Sequence, residues 1–211
     1  MMRTRVKFCG MTRQQDALQA VSLGVDAIGL IFYQKSPRYV SIAQAQNIVS
    51  KLPAFVNKVG VFVDEDPQTI AKIYTAVGLD IIQFHGKETA EFCENLARPF
   101  YKAINVTQAL NWDEIAVQFK NANALLVDNQ TQTQPGGTGK TFDWQLVPPQ
   151  SAIPIILAGG LTAANVAMAI QRVKPYAVDL TSGLESSPGI KDYAKMLAFM
   201  QAVKTADQIR G

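Results

Sequence analysis

Two side chains of this sequence stand where an acid and a base could act together. Cys9 ends the apolar run 6–9, and Asp128 directly follows the apolar run 124–127. A carboxyl group that is poorly solvated can keep its proton near neutral pH and act as a general acid. A thiol beside cations can lose its proton and act as a base or nucleophile. The alternative interpretations are that Asp128 only caps the turn that follows it and that Cys9 is only a small buried apolar residue.

Other polar residues follow further apolar runs. Arg38 lies in Lys-Ser-Pro-Arg after the second run, and Asp179 lies within the last one. His85 is the only histidine, and it either contacts a substrate or stabilises a turn. Lys7 precedes Cys9 by two residues, so on a strand the two share a face, and Lys7 could supply part of a positive field. Cys93 falls in the helical stretch 88–97, where we expect an inert thiol.

Glycines and hydroxyl residues follow the last two apolar runs. Gly159-Gly160 precedes a helix that we expect Thr162 to cap, and Ser182-Gly183 precedes the final helix. Glycine lets the backbone approach a ligand, and free N–H groups near a helix start attract anions. Each loop alone could be a tight turn, but both together predict a phosphate site at Gly159, Gly160, Ser182 and Gly183.

The stretch 135–140, PGGTGK, resembles part of a nucleotide-binding P-loop. The full pattern needs a glycine at position 134, which is Gln134, so the match fails. A glycine-rich lid over 129–140 is the better interpretation, and a solvated loop without a role is the alternative.

Short apolar, β-branched runs recur along the chain, and most precede an amphipathic stretch. Nearly continuous apolar runs are typical of parallel strands that are buried on both faces. Capping chemistry at Thr12 with Gln15, at Ser41 with Gln44 and at Asp66-Pro67 predicts helix starts between them. The runs are 6–9, 27–32, 58–63, 80–84, 100–104, 124–127, 153–157 and 177–180.

Eight strand–helix units in 211 residues predict an α/β fold, a single-domain (β/α)8 barrel over 1–211, near the lower size limit of that fold. An open, doubly wound sheet is the alternative. In a barrel, all of the polar residues named above lie at the carboxyl ends of the strands. The turns that lead into the strands contain no such candidate site residues. Barrel enzymes build their active sites at that end, so the asymmetry predicts an enzyme.

Composition excludes several classes of function. The net charge is +3 with one His and two Cys, so a three-His zinc site is impossible, and no Cys-x-x-Cys exists; we expect no metal and no cofactor. The sequence contains no run of basic residues of the kind that would predict nucleic-acid binding. It also contains no apolar run long enough to span a membrane. Charges interrupt the N-terminal stretch where a secretory signal would be apolar, so we expect a cytoplasmic protein with reduced cysteines, either a monomer or a homodimer.

Seven segments together resemble the phosphoribosylanthranilate isomerase family. They occur in the family's order and cover nearly the whole chain. The segments are KFCGMTR (7–13), KSPRYVS (35–41), VGVFVDE (59–65), QFHGKE (83–88), VDN followed by GGTGKTFDW (136–144), LAGGLTAANV (157–166) and VDLTSGLESSPGIKD (178–192).

The resemblance implies a cofactor-free Amadori rearrangement in tryptophan biosynthesis. The substrate would be N-(5-phospho-β-D-ribosyl)anthranilate, and the product 1-(2-carboxyphenylamino)-1-deoxy-D-ribulose 5-phosphate. The family's base matches Cys9 and its acid matches Asp128. The arginine that meets the anthranilate carboxylate matches Arg38, whose planar fork suits a carboxylate. The phosphate loops match those named above, and Asp179 lies in the last motif.

Three other functions stay open from the sequence. A second phosphosugar barrel, such as indole-glycerol phosphate synthase, would require a lysine pair at the strand ends, and Lys35 alone does not supply one. A catalytically silent, phosphate-binding barrel has no need of an acid and a base. A cysteine hydrolase would require His85 within hydrogen-bond reach of Cys9, which distant strands disfavour.

Overall fold

A computed structural model describes residues 3–107, 109–128, 143–148 and 150–210. Eight parallel strands follow one another around a closed barrel, and β1 pairs with β8 as well as β2. The closure confirms the (β/α)8 barrel and rules out the open sheet. The strands are β1 Arg5–Phe8, β2 Ala27–Ile31, β3 Asn57–Phe62, β4 Ile81–Phe84, β5 Phe100–Asn105, β6 Ala124–Asp128, β7 Ile155–Leu157 and β8 Ala177–Leu180.

Helices cover the outside of the barrel. They are α1 Gln14–Ser22, α2 Ile42–Val49, α3 Pro67–Val77, α4 Ala90–Asn95, α5 Trp112–Gln118, α6 Val166–Val173 and α7 Tyr193–Arg210. In the described part of the β6–β7 connection the only helical element is a 3-10 turn, Trp144–Leu146. Beyond β8 comes a 3-10 turn, Ser182–Leu184, and then a short antiparallel hairpin of β9 Glu185–Ser187 and β10 Ile190–Lys191, which the sequence did not predict.

The strands explain why the runs are apolar throughout. Alternate residues point outward and pack against the helices, as Phe8, Leu125 and Val178 do. The residues between them point into the barrel, where Val59 and Leu126 belong to a small separate core. Since side chains alternate along a strand, the inward set continues upward to polar residues at the carboxyl ends.

Two of the predicted helix starts are confirmed. Ser41 and Gln44 form a capping box at α2, and the Asp66 carboxylate accepts hydrogen bonds at the start of α3, where Pro67 is the first helical residue. In each case the side chain satisfies backbone N–H groups that a helix start leaves without a partner.

The predicted capping box at Thr12 is wrong. Helix α1 begins at Gln14, and its N-cap is Arg13, with no capping side chain. The Thr12 hydroxyl instead donates to the Gly189 carbonyl in the hairpin, 2.5 Å away. The Thr12 hydroxyl therefore bonds to a residue distant in sequence and not, as the local pattern predicted, to the helix start. Strand β7 also begins later than expected, at Ile155, after Pro154.

Candidate active site

A pocket opens at the carboxyl ends of the strands, as the asymmetry of the loops predicts. It contains every predicted site residue: Cys9, Arg38, His85, Asp128, Gly159, Gly160, Asp179, Ser182 and Gly183. Gln83, Tyr33, Ser36 and Thr181 complete its polar lining. Residues distant in sequence are therefore brought to one cavity by the ring of parallel strands.

Cys9 stands at the end of β1 and is almost completely buried. Its thiol packs against β2 at Gly29, where an added Cβ atom would lie 2.5 Å from the sulfur. Burial raises the pKa of this thiol, although the positive charges of Lys7 and Lys191 act in the opposite direction. Lys7 thus does contribute a positive field, but loss of solvent outweighs both cations in the free protein.

Asp128 ends β6, across the pocket rim from β1. Its Oδ2 atom lies 3.7 Å from Nε2 of His85, which follows β4. Burial, together with Lys7 and Lys102, lowers the pKa of His85 to about 3, so its ring is neutral at neutral pH. Among the residues that the structure describes, the polar partners of His85 are Gln83 and Asp128 and not Cys9, which disfavours a cysteine–histidine hydrolase.

Arg38 lies over the pocket, and Glu185 of β9 holds it from one side. Its Nε and Nη2 atoms donate to the two Glu185 carboxylate oxygens at 2.8 and 2.6 Å. A guanidinium has two edges, each of which can make a pair of parallel hydrogen bonds. Glu185 occupies the Nε–Nη2 edge, so the Nη1–Nη2 edge remains for a carboxylate of a ligand.

Sequence reasoning missed Lys191 and Glu185. The Lys191 ammonium is fully buried and donates to the carbonyls of Cys9 and Thr181 and to Glu185, at 2.6, 3.2 and 2.9 Å. This one side chain ties β1, the loop after β8 and the hairpin together. Burial lowers the pKa of Lys191 in spite of its carboxylate partner. No local pattern marked these residues, because the hairpin folds back from the end of β8.

The loop after β7 is shaped by Asn165 and not by Thr162. Helix α6 begins at Val166, so the predicted cap at Thr162 is wrong. The Asn165 side chain accepts from the Thr162 N–H at 2.8 Å and donates to the Gly160 carbonyl at 3.0 Å. Gly159 and Gly160 both have positive φ, 80° and 65°, a backbone region that other residues rarely adopt.

The loop after β8 meets this glycine loop closely. A Cβ atom at Gly183 would collide with the Leu161 carbonyl oxygen, so only glycine allows the approach. Among the described residues, backbone hydrogen bonds outside the helices and strands use none of the N–H groups of Gly160, Ser182 and Gly183. Two neighbouring loops thus offer donors at the pocket, as an anion site requires.

A buried ion pair lies below the pocket floor. Lys7 donates to Oδ2 of Asp179 at 2.8 Å and to Oε1 of Gln83 at 2.9 Å. The other carboxylate oxygen of Asp179, Oδ1, is buried without a hydrogen-bond partner among the described residues. A buried acceptor of this kind is costly unless a ligand supplies a donor.

Three other predictions concern the lid, metal binding and membrane insertion. The predicted lid at 129–140 lies outside the described residues. Among the residues that are described, no group of three His, Cys, Asp or Glu side chains could hold a metal ion. None of the described helices is long and apolar enough to cross a membrane.

Comparison with known protein families gives one consistent result. Residues 6–202 match the family model described as N-(5'-phosphoribosyl)anthranilate (PRA) isomerase. An N-(5'-phosphoribosyl)anthranilate isomerase of Nitrosococcus oceani is 48% identical over 206 residues, covering 98% of this chain and 100% of that protein. One of Pseudomonas fluorescens Pf-5 is 50% identical, covering 97% of each.

Solved structures agree with this similarity. The phosphoribosyl anthranilate isomerase of Thermotoga maritima is 40% identical, with a TM-score of 0.87 over 96% of this chain and 99% of that one. Another structure of such an isomerase, 38% identical with a TM-score of 0.83 over the same shares, contains reduced 1-(o-carboxyphenylamino)-1-deoxyribulose 5-phosphate. A third structure, from Thermotoga maritima, has the same identity and TM-score as the second. It shows monomers generated from a dimeric phosphoribosylanthranilate isomerase.

Proposed function

Because this chain belongs to the N-(5'-phosphoribosyl)anthranilate isomerase family, we propose that its pocket carries out the Amadori rearrangement with Cys9 as base and Asp128 as acid. The observation that carries the assignment is that a thiol and a carboxyl group face one cavity beside an arginine and two glycine loops. That set matches the functional groups of N-(5-phospho-β-D-ribosyl)anthranilate: one reacting sugar, one carboxylate and one phosphate.

The reaction needs one proton donated and one removed. Asp128 gives a proton to the ring oxygen of the ribose as the C1–O bond breaks, and the nitrogen lone pair forms a C1=N Schiff base. Cys9, as thiolate, takes the proton from C2, and the released electron pair forms the C1=C2 bond of an enolamine while the nitrogen becomes neutral. The enolamine then takes up a proton at C1 while its C2 hydroxyl loses one, and this gives the 2-ketone. None of these steps requires a metal or redox cofactor.

Different groups of the pocket bind different parts of the substrate. Arg38 receives the anthranilate carboxylate on its free Nη1–Nη2 edge, while Glu185 keeps the guanidinium in place. The N–H groups of Gly160, Ser182 and Gly183 receive the phosphate, together with the loop at Gly159. Oδ1 of Asp179 accepts a hydrogen bond from a sugar hydroxyl, which would satisfy this otherwise unpartnered buried atom.

Two alternatives are weaker. A barrel that uses a lysine pair is disfavoured because Lys7 and Lys191 at the site are held in buried ion pairs. A silent phosphate-binding barrel leaves the acid and base without a purpose. Both would be excluded by turnover of the proposed substrate.

Anthranilate fluorescence tests the proposal directly. With freshly made phosphoribosylanthranilate, the fluorescence should decrease as the protein converts the substrate. Cys9→Ala and Asp128→Ala should each abolish turnover, fold normally and still bind the reduced product analogue. Cys93→Ala changes the other buried cysteine and should stay active. A fully active Cys9→Ala or Asp128→Ala would remove the role assigned to that residue, and an inactive wild type would favour the silent barrel.

Assembly and location complete the proposal. We expect residues 1–211 to act as one cytoplasmic domain. Of the two states predicted from sequence, monomer or homodimer, the homodimer is favoured by Phe55, a fully exposed aromatic residue on the face opposite the pocket. Fractionation of the source cells would test the location.

A further inference from the structure

Four polar side chains form a line through the barrel from β1 to the end of β6, of which Lys7 and Gln83 are buried and the other two are partly buried. Lys7 contacts Gln83, with Nζ and Oε1 2.9 Å apart. Gln83 contacts His85, with Nε2 and Nδ1 2.7 Å apart. The opposite ring nitrogen, Nε2, lies 3.7 Å from Oδ2 of Asp128. The line therefore ends at the proposed acid of the reaction.

Lys7 decides which way the Gln83 amide is turned. An ammonium group has donors only, so the atom of Gln83 that faces it must be the carbonyl oxygen. Burial opposes the charge of Lys7, but Asp179, with Cys9 and Tyr101, more than compensates and raises its pKa, so the ammonium persists. The amide NH₂ of Gln83 then has to point at His85.

The orientation of Gln83 in turn decides where the proton of His85 sits. An amide NH₂ can only donate, so Nδ1 of His85 must accept and carries no hydrogen. Burial and the cations Lys7 and Lys102 keep the ring neutral, and Lys102 is itself fixed by Glu88 and the Gly86 carbonyl. A neutral ring with Nδ1 bare carries its one proton on Nε2, the nitrogen that faces Asp128.

We propose that Gln83 is a positioning residue that holds His85 as the neutral Nε2–H tautomer, so that His85 donates a hydrogen bond to Asp128 during the reaction. The catalytic use of this donor rests on the proposed function. The 3.7 Å separation closes to hydrogen-bond length when substrate fills the pocket, as catalytic contacts often do. The donor then stabilises the carboxylate that remains after Asp128 has given up its proton.

Neutrality of the ring matters as much as its tautomer. A positively charged imidazolium beside Asp128 would hold the carboxyl group ionised and leave no proton to donate. A neutral N–H is a weaker partner, so it supports the ionised state after transfer without enforcing it beforehand. Lys7 thereby acts on both ends of the reaction: it lies beside Cys9 and, through Gln83, sets the donor that faces Asp128.

Nitrogen NMR tests the tautomer without any assay of activity. His85 is the only histidine, so protein labelled with ¹⁵N in the histidine ring gives one pair of signals. At neutral pH we expect a protonated Nε2 and a bare Nδ1. A proton on Nδ1, an equal mixture of tautomers or a doubly protonated ring would overturn the inference.

Two Gln83 substitutions extend the test. In Gln83→Glu a carboxylate accepts from both neighbours, so a proton should appear on Nδ1 of His85. Gln46→Glu makes the same change on exposed helix α2 and should leave the wild-type signals. Gln83→Met removes the hydrogen bonds at similar size, so both tautomers should appear even if the Glu variant fails to fold. Unchanged signals in Gln83→Met would contradict the role of Gln83.

Kinetics separate this inference from the proposed function. Gln83→Met should lower kcat by about tenfold or more, because the donor to the acid is no longer held in place. Its affinity for the reduced product analogue should stay within about twofold, since general-acid assistance acts in the transition state. Wild-type kcat in this variant would contradict the catalytic use of the tautomer. An inactive wild type would instead contradict the proposed function and leave the NMR result to judge the tautomer alone.

Discussion

At the scale of single residues, the thiol of Cys9 is the proposed base and yet is held in a state that favours its proton. Burial raises its pKa, with Asp179 adding to the effect and Lys7 and Lys191 only partly opposing it. Since the thiolate is the form that removes a proton, only a fraction of the free enzyme is active at neutral pH. Either substrate binding lowers the pKa of the Cys9 thiol, or the reaction proceeds through the fraction of enzyme that already holds a thiolate.

The raised pKa predicts that activity grows with pH. Because deprotonation creates the active form, kcat/KM should increase as pH rises through the neutral range toward the thiol pKa. A series of initial rates at fixed ionic strength would measure this rising limb. Cys93→Ala should keep it, whereas Cys9→Ser should lose it along with most of the activity. A profile that is flat across neutral pH would show that the free enzyme already holds a thiolate.

Gly29 predicts a second effect on the same thiol. A Cβ atom there would lie 2.5 Å from Sγ of Cys9 and 3.1 Å from its Cα and Cβ atoms. Gly29→Ala should therefore displace the sulfur, lower kcat strongly and cost about 1–3 kcal/mol of unfolding free energy. Gly24→Ala is the control: φ is +93° but no atom lies within 4 Å, so it should cost stability without affecting kcat. Normal kcat in Gly29→Ala would show that the thiol position is not critical.

Strand periodicity explains which site residues the sequence could reveal. Cys9, His85 and Asp128 stand out because each is a residue type that can transfer a proton and each stands at the end of an apolar run. Gln83 carried the same signal, since it lies two residues before His85 on the inward face, but a polar residue inside a strand is easily passed over. Gly29 could not be recognised, because its role depends on the neighbouring strand.

At the scale of elements, the β9–β10 hairpin governs the pocket through one carboxylate. Glu185 binds Arg38 on one side and Lys191 on the other. Burial disfavours its charge, but the hydrogen bond from Arg38 and the charge of Lys191 outweigh burial and lower its pKa. A lowered pKa in the folded state stabilises the fold above the unfolded value of about 4.3, and this contribution is lost as pH falls through the folded value.

Removing that charge predicts a loss of stability that depends on pH. Glu185→Gln leaves the buried Lys191 ammonium and the partly buried Arg38 guanidinium without their carboxylate. This loss should cost about 3–5 kcal/mol of unfolding free energy at neutral pH. The difference from wild type should shrink as pH falls through the lowered pKa of the folded carboxylate, where the wild-type side chain also takes up a proton. Urea unfolding at several pH values would measure it. Glu91→Gln, exposed on α4, should differ little at any pH, and an equally small effect at position 185 would contradict the account.

Helix caps show where local sequence stops being decisive. Ser41 and Asp66 cap their helices as predicted because nothing else competes for them. Thr12 is claimed by Gly189, which is brought beside it by the hairpin, and the turn at Thr162 is closed by Asn165. Both errors lie in loops that line the active-site face, where contacts distant in sequence outweigh local propensity.

At the scale of the whole molecule, barrel closure gathers the predicted site residues on one face and leaves the opposite face without them. The number and apolar character of the strands predict the barrel, but closure becomes certain only from the pairing of β1 with β8. On the opposite face, the loop between α2 and β3 presents Phe55 fully exposed with φ of 69°. A cavity on that same face is lined by Arg3, Arg5, Tyr176 and residues that precede β7 and β8.

If two copies meet on this face about a twofold axis, the protruding aromatic residue of each can enter the cavity of the other. We therefore expect a homodimer through the face opposite the active site. Burying Phe55 contributes about 1.5–3 kcal/mol, and the contact occurs twice, so Phe55→Ser should weaken the dimer by about a hundredfold or more. Sedimentation velocity over a dilution series would measure the dissociation constant, while kcat should be unaffected because the pocket lies at the other end of the barrel. Val117→Ser removes an exposed apolar residue of α5 and should leave the dimer intact. A wild-type protein that is monomeric at all concentrations, or a Phe55→Ser variant that dimerises normally, would show that Phe55 does not hold two copies together.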